Sequence, residues 1–438
     1  MISPINGYEF KNWGETLKFK PKHYFKPSSE EEIQQIIQFA KKNQLKIRVV
    51  GSGHSWTFLC ESENQILISL ENFQGLISID KEKKQATVKS GTKLFALSEI
   101  LEKNGLAMIN MGDINKQAIA GALSTGTHGT GVNYGIIPTQ VVALTFINAN
   151  GEKIECSTEN NTHIFKAAQV SLGSLGIITS ITLQCVDLYN LHIQKKKETL
   201  KDLIPRIAEI HQNNRNFEFY WFPYTEIIQA KYSNETKEKP NTSGFKKWFF
   251  DIFLENNLFK IISDVSKTVP ASASTMSKIC GMAISNSSEI NVSHKIYATE
   301  RLVKFNEMEY GVPSEKGIEC LLKIKEFIEK EKINVHFPIE FRWVKGDDIY
   351  LSPAYGYETV FISCHMYLGM PYEKYFRGSE EIFLSYDGRP HWGKMHTQKA
   401  DYLKTKYPQW EAFLKVRTEM DTQGMFLNNH LKEIFGIE

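Results

Sequence analysis

Cysteine is scarce in this 438-residue chain, and its six cysteines are scattered. No two of them have the C-x-x-C spacing, which excludes the usual zinc-ribbon and dithiol redox motifs. They are Cys60, Cys156, Cys185, Cys280, Cys320 and Cys364. In a chain of this length the pattern is typical of reduced thiols, so we predict a cytoplasmic protein without a disulfide framework or a metal site.

An excess of either charge is also absent, with 52 Lys and Arg against 50 Asp and Glu. A nucleic-acid partner would require a basic stripe, and we therefore predict none. No uncharged apolar run approaches the ~20 residues that span a bilayer. The N-terminus lacks the basic and apolar segments of a signal peptide. We predict no transmembrane segment, and peripheral contact with a membrane stays open.

Two familiar phosphate-binding fingerprints are missing, because the chain contains neither G-x-G-x-x-G nor G-x-x-x-x-G-K-[ST]. It has instead a short apolar run that begins at Ile47 and continues into Val50-Gly51-Ser52-Gly53-His54-Ser55. Two glycines around a serine permit a sharp turn whose N–H groups face an anion. Taken alone, such a segment is more often a plain turn.

A second glycine-rich stretch runs from Ile119 to Gly131 and carries no charged side chain. Small residues and hydroxyls dominate it, so it can approach a phosphate or a planar ring closely. A flexible surface loop is the alternative. Because Ile119, Ala120, Ala122 and Leu123 are apolar, we expect the stretch to be packed rather than solvated.

The spacing of apolar and turn residues predicts an α+β domain over residues 1–187. Ser28 and Glu31 fit a capping box at the start of a helix, and Gly105 fits the end of another helix. Residues 141–156 are predicted to form a hairpin around Asn150-Gly151.

A second domain, which would bind substrate, is predicted over residues 188–385. Its polar segment from Ser233 to Gly244 is predicted to be a loop. A C-terminal segment, 386–438, follows, and it is predicted to be largely helical from Leu403 to Phe435.

One candidate for chemistry is a predicted strand over residues 334–343. Alternation places His336, Glu340 and Arg342 on the same face. A carboxylate that accepts hydrogen bonds and a guanidinium that donates them can hold a polyol between them. An exposed ion pair of little energetic value is the alternative.

Two further segments carry histidines and cations. A predicted strand at 360–366 places His365 where it is either a site residue or a core histidine. Arg389, His391 and Lys394 share one loop beside a tryptophan, an unusual density for a plain turn. A surface basic loop is the alternative there.

Together these motifs carry a resemblance to a known family. Val50 to Ser55, Gly121 to Gly131 and Ser171 to Thr179 resemble the FAD-binding half of vanillyl-alcohol-oxidase-type flavoproteins. Gly388 to Lys394 resembles the signature of the sugar-1,4-lactone oxidases, which include L-gulonolactone and D-arabinonolactone oxidases, with alditol oxidase a close relative. The resemblance covers nearly the whole chain and thins between about Lys195 and Val312.

The resemblance implies a fold and a cofactor. The fold is α+β, with a vanillyl-alcohol-oxidase/p-cresol-methylhydroxylase-type FAD-binding domain and a cap domain on a mixed or antiparallel sheet with helices. It implies FAD linked covalently through a ring nitrogen of His54, and it makes His128 a loop-positioning or phosphate-side residue. The cofactor-binding residues it implies are Val50, Gly51, Ser52, Gly53, His54, Ser55, Gly112, Asp113, Gly121, Ser124, Thr125, Thr127, His128, Gly129, Gly176, Ile178 and Lys394.

The resemblance also implies a reaction: hydride passes from C2 of a sugar 1,4-lactone to the flavin, and dioxygen is then reduced to hydrogen peroxide. The catalytic residues it implies are Glu340, Arg342, Lys394, His391 and His365. Three alternatives stay open. They are an alditol oxidase that acts at C1, a lactone dehydrogenase with another electron acceptor, and a non-catalytic flavoprotein.

Gly112 and Asp113 bear on the electron acceptor. In the family, the residue that matches Gly112 tends to be glycine in the oxidases, and it is expected to leave a path for dioxygen. A glycine that only permits a positive φ is the alternative. Family members usually have serine where this chain has Asp113, and a carboxylate beside the flavin would oppose the anionic reduced ring unless it is protonated or paired. We therefore expect Asp113 to point away from the flavin, with a register shifted by one residue as the alternative.

Overall fold

The computed structural model describes residues 2–241, 257–299 and 303–438. Of the predicted loop from Ser233 to Gly244, the first part belongs instead to a strand, and residues 242–244 lie outside the described ranges. None of the helices within these ranges has the length and apolar content needed to cross a bilayer.

The first part of the chain builds two main sheets. Its strands are β1 (Phe10–Lys11), β2 (Lys18–Phe19), β3 (His23–Phe25), β4 (Ile47–Val50), β5 (Ile66–Ser69), β6 (Leu76–Asp80), β7 (Gln85–Lys89), β8 (Leu106–Met108), β9 (Val141–Ile147), β10 (Lys153–Ser157) and β11 (Ile177–Asp187). Its helices are α1 (Glu30–Asn43), α2 (Leu94–Lys103), α3 (Ile119–Ser124) and α4 (Thr162–Ala168). A parallel sheet has the order β3-β5-β4, and an antiparallel sheet has the order β10-β9-β11-β7-β6, with β8 paired to β11.

Most elements predicted for this part are present. β9 and β10 form the predicted antiparallel hairpin, and Gly105 follows α2 with a φ of +74°. The capping box is shifted by one residue. Ser29, not Ser28, is the N-cap residue of α1 and accepts from the Glu32 amide, while the Glu32 carboxylate accepts from Ser28.

The second part of the chain builds one large sheet with helices. Its strands are β12 (Asn190–Thr199), β13 (Asn216–Trp221), β14 (Ile227–Thr236), β15 (Ser287–Val292), β16 (Phe305–Pro313), β17 (Ile339–Val344), β18 (Thr359–Tyr367) and β19 (Arg389–Pro390). Its helices are α5 (Leu200–Leu203), α6 (Ile207–Asn213), α7 (Asn257–Thr268), α8 (Ala273–Ala283), α9 (Ser293–Tyr297), α10 (Ser314–Lys330), α11 (Glu373–Ser385), α12 (Ala400–Lys406), α13 (Trp410–Met420) and α14 (Asn429–Phe435). The strands pair antiparallel in the order β15-β12-β14-β13-β17-β18-β16-β19.

The two faces of this eight-stranded sheet differ in character. A row across neighbouring strands that contains Phe219, Phe341, Ile362 and Tyr310 is fully buried, and it belongs to a core that includes residues of α10 and α11. Side chains alternate along each strand, so the adjacent residues on these strands face the other side, where polar side chains dominate.

β17 is shorter than predicted, because it begins at Ile339 rather than at residue 334. Pro338 has no N–H to contribute to a ladder, which excludes it from the middle of a central strand. His336 therefore does not share a face with Glu340. It is fully buried, and its Nε2 lies 2.9 Å from the Ser263 hydroxyl on α7.

The C-terminal residues pack on the first part of the chain. The Ile47 amide donates to the Met425 carbonyl. The buried Arg48 side chain donates only to main-chain carbonyls, namely those of Leu59 at 2.6 Å, Leu172 at 2.6 Å, Gly173 at 2.8 Å and Phe426 at 2.5 Å. One guanidinium thus ties β4 to the loop before β11 and to the chain end.

We predict that stability falls as the pH drops below about 6.5. Burial lowers the pKa of His336 to about 4. The unfolded chain therefore binds a proton on this histidine below about pH 6.5, whereas the folded protein binds it only near pH 4. At pH 5 this linkage costs roughly 1–2 kcal/mol per histidine. His336→Gln should reduce the loss of unfolding free energy between pH 7 and pH 5 by about that amount, measured by urea denaturation. The exposed His163→Gln is the matched control, and an equal pH dependence in His336→Gln and wild type would contradict the assignment.

Candidate active site

A long cleft, here called the cofactor cleft, runs along the first part of the chain between the end of β4 and the start of β11. Most of the predicted cofactor-binding residues line it. They are Val50, Gly51, Ser52, Gly53, His54, Ser55, Gly121, Ser124, Thr125, Gly176 and Ile178. The second glycine-rich stretch enters the cleft through α3, a short helix that the sequence did not predict.

The turn after β4 presents free donors to this cleft. Within the described part of the chain, the amide N–H groups of Ser52, Gly53, His54 and Ser55 donate to no other residue. Lys93 also lines the cleft, and its ammonium contacts the Ser52 hydroxyl at 2.7 Å. Consecutive free amides beside a cation form an anion site.

A second cavity, here called the substrate cavity, adjoins the cofactor cleft and shares His54, Ser55, Gln117 and Thr125 with it. The remaining predicted site residues, apart from Gly129, line this cavity. They are Gly112, Asp113, Thr127, His128, Glu340, Arg342, His365, His391 and Lys394.

Two residues singled out from the sequence lie elsewhere. Gly129 lies outside both cavities, because its backbone packs against the Met111 carbonyl so closely that a Cβ would lie 2.1 Å from that oxygen. The Arg389 guanidinium turns away from its loop neighbours, donates to the carbonyls of Pro353 and Tyr355, and stacks over Tyr357.

The polar face of the eight-stranded sheet forms one wall of the substrate cavity. In register across it, Tyr220 opposes Glu340, Glu340 opposes Ser363, and Ser363 opposes Glu309. A parallel row places Glu218 opposite Arg342. Antiparallel pairing therefore brings groups far apart in sequence within contact on one surface.

Arg342 is the centre of the first charged cluster on this wall. Its Nη2 lies 2.7 Å from Asp113 and also contacts Glu340, and its Nε lies 2.9 Å from Glu218. Lys231 contacts Glu218 at 2.7 Å. Burial alone would lower the pKa of Arg342, but the three carboxylates raise it well above its usual value.

Lys394 and Glu307 form the second cluster. The two side chains are in direct contact, and His365 Nε2 lies 3.5 Å from the Glu307 carboxylate. Burial raises the pKa of Glu307, but Lys394 and His365 outweigh it and lower the pKa to about 2. The Lys394 ammonium also lies 4.5 Å from the centre of the Trp56 ring.

The third cluster joins His128, Glu309 and His391. His128 Nε2 lies 3.2 Å from Glu309, and its ring stacks on Phe361 at 3.8 Å. His128 lines the substrate cavity rather than the cofactor cleft, and its assignment as a loop-positioning or phosphate-side residue stays a prediction. His391 Nδ1 accepts from the Gly393 amide, and burial lowers the pKa of His391 to about 3, which keeps this imidazole neutral.

His54 lies where the cofactor cleft and the substrate cavity meet. Burial, with the positive charges of Lys394 and Lys93, lowers its pKa to about 4, so the ring is neutral near pH 7. Its buried Nδ1 has no hydrogen-bond partner among the described residues, and Trp13 stacks on the ring with centroids 5.8 Å apart.

These features fit FAD. The free amides suit a pyrophosphate, and a Cβ built on Gly121 meets no atom within 4 Å, so a side chain there would project into the cleft. His54, whose Nδ1 has no hydrogen-bond partner among the described residues, stands where the cleft opens to the substrate cavity.

Gly112 does not have a positive φ, so the alternative proposed for it from the sequence is wrong. The glycine is required by close packing, because a Cβ would lie 2.7 Å from the His128 carbonyl oxygen. An alanine there would displace backbone rather than simply narrow a path for dioxygen. Asp113 lines the cavity, and its carboxylate is paired with Arg342, so its negative charge is offset.

The sequence interpretation missed several residues. Glu307 and Glu309 alternate on β16 as Glu340 and Arg342 do on β17, and this E-x-E pattern was a detectable signal. Lys93 and Tyr220 carried no comparable signal, since each stands alone among ordinary neighbours.

Comparisons with known proteins give matches over most of the chain. A family model described as D-arabinono-1,4-lactone oxidase matches residues 181–434, and one described as an FAD binding domain matches residues 21–157. L-gulono-1,4-lactone dehydrogenase of Mycobacterium tuberculosis is 36% identical over 99% of this chain and 100% of its own. L-gulonolactone oxidase of Bos taurus is 34% identical over 99% and 100%.

The structure resembles that of cholesterol oxidase from Brevibacterium sterolicum, with a TM-score of 0.82 and 17% identity over 99% of each chain. A chitooligosaccharide oxidase gives a TM-score of 0.73 with 11% identity, over 98% of this chain and 96% of its own. The predicted α+β fold with its FAD-binding domain is confirmed.

We predict that Arg342→Lys lowers kcat/KM by thirtyfold to a thousandfold, a loss of roughly 2–4 kcal/mol. A lysine keeps the charge but cannot contact Asp113, Glu218 and Glu340 through one rigid fork. Arg342→Ala is less informative because it leaves buried carboxylates without a partner. The measurement is steady-state turnover at equal bound FAD, with the exposed Arg377→Lys as control. Turnover near that of wild type would show that Arg342 takes no part in substrate binding or catalysis.

Proposed function

The chain belongs to the family of FAD-dependent sugar-1,4-lactone oxidoreductases, and from this membership we propose that it oxidises the C2 hydroxyl of a sugar 1,4-lactone with dioxygen as electron acceptor. The observation that carries the proposal is the junction at His54. There the anion-binding cleft opens into a cavity walled by carboxylates and an arginine on one sheet face.

FAD bound in the cofactor cleft supplies a two-electron acceptor for the hydride of the substrate carbon. The amides of residues 52–55 and the Lys93 ammonium would hold its pyrophosphate. His54 lines both spaces, and Lys394 lines the adjoining substrate cavity within electrostatic reach of His54, so Lys394 can offset negative charge that develops where the cleft and the cavity meet.

The charges of the substrate cavity favour a neutral polyhydroxylated ligand. Arg342 and Lys394 are each already paired with carboxylates, so a carboxylate or phosphate on the substrate finds no spare cation among the described side chains of the cavity. Glu340 can accept from a sugar hydroxyl, and the neutral His391 keeps the hydrogen on Nε2 for donation. A lactone meets this requirement, and an aldonate does not.

The division into working parts is also a proposal. We assign residues 1–187 to FAD binding, 188–385 to the substrate cap, and 386–438 to a segment that brings the Lys394 loop back to the cleft. In support, every strand of the two cofactor-side sheets lies before residue 188, and every strand of the eight-stranded sheet except β19 lies between residues 190 and 367.

A lactone dehydrogenase is the second candidate. The M. tuberculosis relative carries that name at 36% identity, and oxidase relatives have similar identity. A third candidate is an alditol oxidase, because an alditol is also a neutral polyhydroxylated ligand and would suit the same cavity.

We predict that a sugar 1,4-lactone bleaches the flavin absorbance under anaerobic conditions, and that readmitted oxygen restores it with one peroxide per flavin. A panel of gulono-, galactono- and arabinono-1,4-lactones, the matching aldonates, and xylitol and sorbitol decides the substrate class. Fast bleaching by alditols alone would replace lactone by alditol. Slow reoxidation by oxygen with fast reduction of a dye would assign a dehydrogenase, and no bleaching by any of them would remove the catalytic function.

We further predict a covalent bond between His54 and FAD, because a neutral imidazole is nucleophilic. After denaturation in acid or detergent, flavin fluorescence should stay with the polypeptide. His54→Ala should release its flavin, whereas His163→Ala should retain it. Full release from the wild-type protein would rule the bond out and leave FAD bound without it.

A further inference from the structure

A third cavity, here called the back cavity, lies on the same sheet face as the substrate cavity. It extends over β12, β14 and β13, and α9 contributes to its lining. Its polar residues include Asp113, Glu218, Lys231, Lys195 and Ser233. Asp113 lines the substrate cavity as well, so this carboxylate stands between the two spaces.

Tyr220 connects the two carboxylates at this boundary. Its hydroxyl contacts Glu340 on the substrate side and lies 3.1 Å from Asp113 on the other. Lys231 Nζ lies 3.3 Å from the same oxygen and donates to it. A phenol has one hydrogen to give, and here two carboxylate oxygens are placed to accept it.

Two carboxylates on either side of one phenol can take up and pass on one proton. When both carboxylates are ionised, the single phenol hydrogen serves only one of them. When one carboxyl is protonated, that carboxyl donates to the tyrosine oxygen while the tyrosine donates to the other, and both contacts become hydrogen bonds.

We propose that Tyr220 is a positioning residue that moves the proton of the substrate hydroxyl from Glu340 to Asp113 and so into the back cavity. The proposal rests on the proposed function. Oxidation of an alcohol to a carbonyl releases a hydride from carbon and a proton from oxygen. Glu340 accepts that proton, then passes it to the Tyr220 oxygen as the phenol hydrogen passes to Asp113, and Asp113 releases it to water. Each group ends in its starting state.

The other carboxylates of the substrate cavity are less suited to this task. Glu307 is held by Lys394 and His365, and Glu309 by His128 and the Ser363 hydroxyl. Both lie on β16, on the far side of β17 and β18 from the back cavity. Among the described residues, only the Asp113 carboxylate lines both spaces.

The experiment distinguishes a role of Tyr220 in proton transfer from a purely structural role. In Tyr220→Phe, bound FAD, the affinity for a sugar lactone and the rate of the first anaerobic reduction by it should stay within about twofold of wild type, because Glu340 can still hold one proton. Proton release, followed with a pH-indicator dye in weak buffer, should lag behind that reduction by at least tenfold, and kcat should fall equally. Small weak acids such as formic acid should restore part of the loss.

Asp113→Asn is the second variant and should show the same lag with Tyr220 present. Tyr232→Phe is the matched control, since its hydroxyl also contacts a carboxylate, Glu198, at 2.8 Å outside both cavities. Proton release in step with flavin reduction in Tyr220→Phe would overturn the proposal, as would a slowed first reduction together with a weakened affinity for the lactone, which marks a structural role. If no lactone or alditol reduces the wild-type flavin, the proposed function fails and the relay fails with it.

Discussion

The balance of buried charge on the polar face of the eight-stranded sheet is the constraint on which the rest of the site depends. Arg342 meets Asp113, Glu218 and Glu340 in a setting where less than a tenth of its side chain is exposed. Breaking a buried pair by removal of one partner costs about 3–5 kcal/mol. The clusters around Lys394 and His128 follow the same rule, so each charge of the cavity fixes the position of its neighbours.

This balance is assembled from both parts of the chain. The wall of carboxylates comes from β13, β16 and β17, whereas Asp113 and His128 come from loops of the cofactor side. The substrate cavity therefore exists only when the sheet and the cofactor-binding region are docked. At a polar interface, matched charges fix the relative position of the two parts more than they add to the free energy of association.

Much of the site could be predicted from the sequence where a local pattern carried the information. The glycine-rich stretches indicated segments that line the cofactor cleft, and alternation put Glu340 and Arg342 together on the wall of the substrate cavity. The other residues singled out came from the family resemblance. Prediction failed where a single residue altered a pattern. Because of Pro338, β17 begins only at Ile339, and His336 lies outside the strand. It also failed where contacts depend on strand register, which a single sequence does not encode locally. Glu218 and Tyr220 reach Arg342 and Glu340 only because β13 pairs with β17, about 120 residues further along the chain.

Arg48 has a consequence for the order in which the protein is made. Its guanidinium is satisfied by carbonyls of residues 59, 172, 173 and 426, and a buried cation without those partners is costly. The strand that leads into the anion-binding turn therefore reaches its final environment only after residue 426 has been synthesised. Domains usually fold from the N-terminus as synthesis proceeds. Here the strand before the anion-binding turn depends on a carbonyl 378 residues later, so this part of the fold is completed by long-range contacts rather than by its own neighbourhood in the sequence.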